Sequence, residues 1–170
     1  DTCKDLCNLQ IEYNPSSCRV KLEKHQNMQV FCDRGSYIVY NNRPFNLKEI
    51  TFHTPRLHTI DGVRCDLEIC LVHSLDDNPY SDNGVIISCL FNEGNYFGKT
   101  ETFINQFINE VKINSEQSVD VSPDWGAKMI IPDRKAFYLY EGSVPFPPCS
   151  KMTNIVMEEI GSIGPTNLEI

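Results

Sequence analysis

The sequence predicts a mainly β fold of the α+β class, with one large, mostly antiparallel sheet and few surface helices. Short segments of alternating apolar and polar residues, bounded by turn residues, fill most of the chain. A single stretch, Thr100 to Ile113, repeats its apolar residues at three- and four-residue spacing instead. Strands run before and after this stretch, and no repeat, low-complexity segment or long linker divides the 170 residues. One domain over 1–170 follows, with 1–8 as a cysteine-containing N-terminal arm.

Leu9 to Tyr13, Arg19 to Glu23 and Gln29 to Asp33 alternate and read as strands. Ser36 to Tyr40 and Leu47 to His53 continue the series, with Asn41-Asn42-Arg43-Pro44 as the turn between them. Cys65 to His73 and Gly84 to Glu93 are the most hydrophobic segments, which predicts central strands covered on both faces. A polar loop joins these two, from Leu75 to Gly84. In the helix, Phe103, Ile104, Phe107, Ile108 and Val111 form the apolar stripe. Thr100 is the expected N-cap, and Glu101 sits in the first turn, where the helix dipole favours negative charge. Strands are expected again at Met129 to Ile131, Ala136 to Tyr140 and Asn154 to Glu158, with Pro145 to Pro148 between the last two.

Composition narrows the function classes. The net charge is −8, from 15 basic and 23 acidic residues, so a sequence-independent polyanion binder is disfavoured. Nucleic acid is therefore not an expected partner, and glycosaminoglycan is opposed by the same charge. Apolar runs such as Val85 to Phe91 are too short to span a membrane. The start at Asp1 reads as that of a processed or trimmed segment. Eight cysteines, at 3, 7, 18, 32, 65, 70, 89 and 149, lean towards an oxidising compartment or an extracellular particle. Cys70 and Cys89 lie in apolar strand patterns, where a thiol is often a small buried hydrophobe. No Asn-x-Ser/Thr acceptor is present, since proline follows Asn14.

The segments around His53 and Cys70 carry the most chemistry. Alternate residues of a strand share a face, so Thr51 and His53 point one way, as do Glu68, Cys70 and Val72. A catalytic zinc needs three protein ligands, commonly imidazoles, and an open fourth position. These two strands offer one histidine, one cysteine and one threonine.

Several phrases in order resemble the α-class carbonic anhydrases. They are Ile50-Thr51-Phe52-His53, His58-Thr59-Ile60-Asp61-Gly62, Leu67 to His73, Gly84-Val85-Ile86-Ile87, the Phe103/Phe107 helix, Tyr138 to Cys149 and Asn154-Ile155-Val156. The resemblance covers residues 9 to 170 and implies the family's twisted, ten-stranded sheet with its active site in a conical cleft on the central strands. It also implies shortened terminal parts, either removed or supplied by another subunit.

By that resemblance the family's three zinc-binding histidines fall on Thr51, His53 and Cys70, and only His53 is an imidazole. The hydroxide-orienting threonine falls on Pro145, its neighbour on Phe146, and the acidic residue that orients the threonine on Leu57. The proton-shuttle position falls near Ser16 or Ser17. His58, Glu68 and Tyr140 match a buried polar network behind the metal. Val72, Ile86 and Val144 match pocket-shaping positions and are expected as core. The Pro147–Pro148 bond matches a cis bond of the family. Cys149 stands where secreted members carry a cysteine bonded to the N-terminal region, which makes Cys3 or Cys7 its candidate partner.

The reading taken is a catalytically inactive carbonic-anhydrase-related domain without a metal cofactor. It would act as a structural or protein-binding module, a subunit of a larger extracellular, virion or organellar assembly. His53 is read as a hydrogen-bonded strand histidine and Cys70 as a buried thiol. Two alternatives stand beside it. One is a divergent metal-dependent CO2 hydratase using His53, Cys70 and a third ligand; the other is a viral-type surface adhesion protein.

Overall fold

Burial in the computed structural model follows the alternation of the strands; the structure describes residues 8–21, 28–54, 57–62, 64–94, 98–108, 119–121, 126–144 and 149–164. Among them, eleven strands join in one sheet. In chain order they are β1 Leu9–Glu12, β2 Cys18–Lys21, β3 Gln29–Cys32, β4 Tyr37–Tyr40, β5 Arg43–His53 and β6 Leu67–Ser74. Then come β7 Val85–Glu93, β8 Val119–Val121, β9 Phe137–Ser143, β10 Lys151–Met157 and β11 Gly161–Ile163. The main path runs β8-β2-β3-β5-β6-β7-β10-β9, with β4 and then β1 attached beside β5, and β11 beside β7. Most pairs are antiparallel; β10 and β11 run parallel to β7.

β6 and β7 occupy the middle, and every residue of β6 is buried. Its odd residues Leu67, Ile69 and Leu71 join the main core with Ile87, Cys89 and Phe91 of β7. On the opposite face, Cys70, Val72, Ile86, Val144 and Met152 form a second, smaller cluster. One strand thus serves two apolar surfaces, which is why its sequence is almost continuously hydrophobic.

β5 changes parity along its length. Phe45 and Leu47 face the main core, and so do Ile50 and Phe52. Alternation alone cannot place odd and even positions on one side. A bulge at Lys48 does, because Leu47 pairs with His73 and Glu49 pairs with Val72, leaving Lys48 as the extra residue. Beyond the bulge, Glu49, Thr51 and His53 all face away from the main core.

Several expected boundaries shift. The turn after β4 is only Asn41-Asn42, both at positive φ (49° and 63°), and Arg43 and Pro44 already pair with β4. Two left-handed residues between paired strands make a type I′ hairpin, a conformation that asparagine tolerates. The helix α1 spans Lys99–Asn105 with Gly98 at its N-cap, so the expected cap at Thr100 is corrected. The Thr100 hydroxyl donates instead to the carbonyl of Met129, 2.8 Å away. Phe107 and Ile108 follow α1 and are still buried, while Val111 and Ile113 lie outside the described residues. The expected strand at Met129 to Ile131 is instead the end of a 3-10 turn, Ala127–Met129. Ile130 and Ile131 are buried there, and so short an apolar run carries no period that separates strand from turn.

Candidate functional site

The register of β5 on β6 builds the site. Thr51 lies opposite Cys70 and His53 opposite Glu68, on the face away from the main core. This face closes a cavity of about 180 Å³, lined by Thr51, His53, Leu57, His58, Cys70, Val72, Tyr80, Ile86, Tyr140, Ser143, Val144 and Asn154. The structure therefore brings Thr51, His53 and Cys70 together around one space. Val72, Ile86 and Val144 are buried and also line it, so they are wall as well as core. Ser16 and Ser17 do not line it.

Each polar group at the floor has a partner within the protein. Thr51 Oγ1 lies 2.8 Å from His53 Nε2. The Cys70 thiol donates towards Glu68 Oε1 at 3.4 Å and lies 3.5 Å from Ser88 Oγ. Burial pushes the Cys70 thiol far above its ordinary pKa, and the negative charge of Glu68 adds to the shift. Burial also lowers the pKa of His53; the Glu68 charge opposes that effect. The floor thus holds a protonated thiol, a hydroxyl and an imidazole disfavoured as a cation. Among the described residues, no group of three or more His, Cys, Asp and Glu side chains is arranged to hold a metal ion.

Glu68 is fully buried and saturated with donors. The N–H groups of Leu57 and His58 each donate to Oε2 at 2.8 Å, and His58 Nδ1 lies 2.5 Å from Oε1. His58 Nε2 in turn hydrogen-bonds the Tyr140 hydroxyl. Burial works to raise the Glu68 pKa, but the hydrogen bonds and charge of His58 outweigh it and hold it at about 2. The three residues form one chain, buried at Glu68 and open at Tyr140, which is 42% exposed. The expectation of a network buried throughout is corrected at that end, because Tyr140 lies on β9, the last strand of the sheet path.

Leu57 is 45% exposed and meets Glu68 through its backbone, not its side chain. Pro145, Phe146 and the Pro147–Pro148 bond lie outside the described residues, as do Cys3 and Cys7. Cys149 is an exposed thiol.

Sequence reasoning missed Tyr80 and Glu49. Tyr80, from the polar loop after β6, lines the cavity and its hydroxyl donates to the buried Glu49 carboxylate. Burial raises the Glu49 pKa, an effect this hydrogen bond partly offsets. The available signal was parity, since Glu49 shares a face with Thr51 and His53.

Comparison with known proteins identifies the family and the fold. The eukaryotic-type carbonic anhydrase family matches residues 2–169 of the chain. Dioscorin DB3L of Dioscorea polystachya is 29% identical over 165 residues, which are 94% of this chain and 57% of that protein. Alpha carbonic anhydrase 7 of Arabidopsis thaliana is 29% identical over 150 residues, covering 86% and 51%. The chain thus spans about half the length of the curated relatives it matches. A hyperthermostable carbonic anhydrase from a hydrothermal vent chimney superposes with a TM-score of 0.80 at 28% identity, over 98% of this chain and 71% of that one. A dioscorin complexed with ascorbate gives 0.79 at 26% identity, over 96% and 66%.

Proposed function

Because the chain belongs to the eukaryotic-type carbonic anhydrase family, we propose that it uses the family's fold without its hydratase chemistry. One observation carries this reading: the cavity floor presents Thr51, His53 and Cys70, and these side chains satisfy one another and their neighbours. That donor set does not fit zinc. A threonine hydroxyl is a poor ligand, a thiol held protonated by burial is a poorer one than a thiolate, and a single imidazole falls short of three ligands. Zinc chemistry also needs a group that orients the bound hydroxide. Proline at 145 has no side-chain donor or acceptor for that task.

The domain then serves as a structural or protein-binding module, with other protein subunits as its partners. Support comes from β9 at the end of the sheet path, where Tyr138 and Tyr140 are 46% and 42% exposed. Large aromatics on a strand edge suit pairing with protein more than open solvent. Solved structures of both kinds, a carbonic anhydrase and a dioscorin, share the fold, so the reading rests on the cavity residues.

Zinc titration by calorimetry, on the chain and on the Thr51→His/Cys70→His variant, tests the proposal. The expected outcome is no stoichiometric binding by the chain and at least a tenfold gain in affinity for the variant. Stoichiometric zinc held by the unaltered chain through His53 and Cys70 would support a divergent hydratase instead.

A further inference from the structure

Strands β2 and β3 place two cysteines face to face, at a distance from the cavity and independent of the function proposed for it. Cys18 and Cys32 are direct partners in the antiparallel register, and their sulfurs are 2.7 Å apart. That separation lies between a bonded pair, about 2.05 Å, and ordinary van der Waals contact. The next pair outward, Ser17 and Asp33, is hydrogen-bonded, with the Asp33 N–H donating to the Ser17 carbonyl at 3.0 Å. Hydrogen-bonded and non-hydrogen-bonded pairs alternate along an antiparallel ladder. Cys18 and Cys32 therefore form a non-hydrogen-bonded pair, the kind whose side chains approach most closely and whose Cα spacing, about 4.5 Å, falls within the range a disulfide needs.

The geometry points to a cross-strand disulfide between Cys18 and Cys32, formed by exchange with a small-molecule disulfide. Cys18 is buried in the main core and Cys32 is half-buried, so the reagent reaches Cys32. The hydrogen bond with Cys32 lowers the pKa of Cys18 even against burial, while the same contact raises that of Cys32. Cys32 Sγ passes its proton to solvent and attacks one sulfur of the small disulfide. The S–S bond of the reagent breaks, one small thiolate leaves, and a mixed disulfide remains on Cys32. Cys18 Sγ then attacks Cys32 Sγ, and its proton goes to the second small thiolate as that departs. Two cysteine sulfurs are oxidised by two electrons in all, and one small disulfide is reduced to two small thiol equivalents.

Equilibrating the folded chain with excess glutathione disulfide, then denaturing, alkylating and mapping it by mass spectrometry, tests this. The expected product is one linked peptide pair containing Cys18 and Cys32, two hydrogens lighter than the two free peptides. Recovery of both as alkylated thiols, or of either linked to another cysteine, would overturn it. In Cys18→Ser the glutathione is expected to stay on Cys32, because nothing resolves it; an unmodified Cys32 would overturn the exchange order. Should that core substitution prevent folding, Cys32→Ala at the half-buried position replaces it. Reduction should then lower the thermal midpoint of the oxidised chain and leave that of Cys32→Ala unchanged. An equal fall in both would overturn the assignment.

Discussion

His73 shows how far a single side chain can be committed by its surroundings. It is fully buried on β6, stacked on Tyr13, with Nδ1–H donating to the Val85 carbonyl at 3.1 Å and Nε2 accepting the Tyr13 hydroxyl at 2.7 Å. Burial lowers its pKa to about 4. The folded ring therefore resists a proton that the unfolded ring accepts near 6.5. Stability is complete above pH 6.5 and is lost as pH falls from there towards 4, by about 3 kcal/mol over that window. Urea unfolding at pH 7, 5.5 and 4 should show the decline, with His53 contributing in the same direction; a stability unchanged over that range would refute the buried neutral ring. Glu68 acts in a lower window, since its depressed pKa holds stability above about 4.5 that is lost on the way to about 2. Replacing it by alanine strips the acceptor from two backbone N–H groups and from His58, at a cost of about 3–5 kcal/mol, readable in the same unfolding experiment.

At the scale of elements, parity explains what could be read from the chain and what could not. Alternation in β5 and β6 put Thr51 with His53, and Glu68 with Cys70, on shared faces, and the structure places all four at one cavity floor or just behind it. The bulge at Lys48 left no mark in the sequence, because an extra residue in a ladder is visible only once its partner strand is known. It has a consequence that can be checked. Deleting Lys48 restores simple alternation, leaves Phe45 and Leu47 on the core side, and should cost no more than about 2 kcal/mol. Deleting Asn46 instead turns Phe45 out of the core and should cost about 3 kcal/mol or more. Equal effects from the two deletions, measured by thermal unfolding, would contradict the bulge assignment. The last strand, β11, was illegible for a different reason: three residues are too few to show a period.

Over the whole molecule, the same sheet that places the cavity also decides its chemistry. The family's fold was legible because several phrases recur in order, and their residues Ile50 to His53, Leu67 to His73, Val85 to Ile87, Tyr138 to Ser143 and Asn154 to Val156 fall on strands that the structure also shows. Much of the cavity wall was not legible. Ser143 and Asn154 arrive from β9 and β10, elements far from β5 and β6 in the chain, and Tyr80 folds back from the loop after β6, so only the folded sheet juxtaposes them. Loss of hydratase chemistry is the central claim, and it rests on two independent positions in the chain, the donor set at the cavity floor and the residue at 145. Restoring one should not restore the other, so Thr51→His/Cys70→His is expected to gain zinc and remain slow. Stopped-flow CO2 hydration by the unaltered chain, in the presence of saturating zinc, tests the claim most directly. The account predicts a rate indistinguishable from the uncatalysed reaction; turnover that rises in proportion to protein and is abolished by His53→Ala would contradict it.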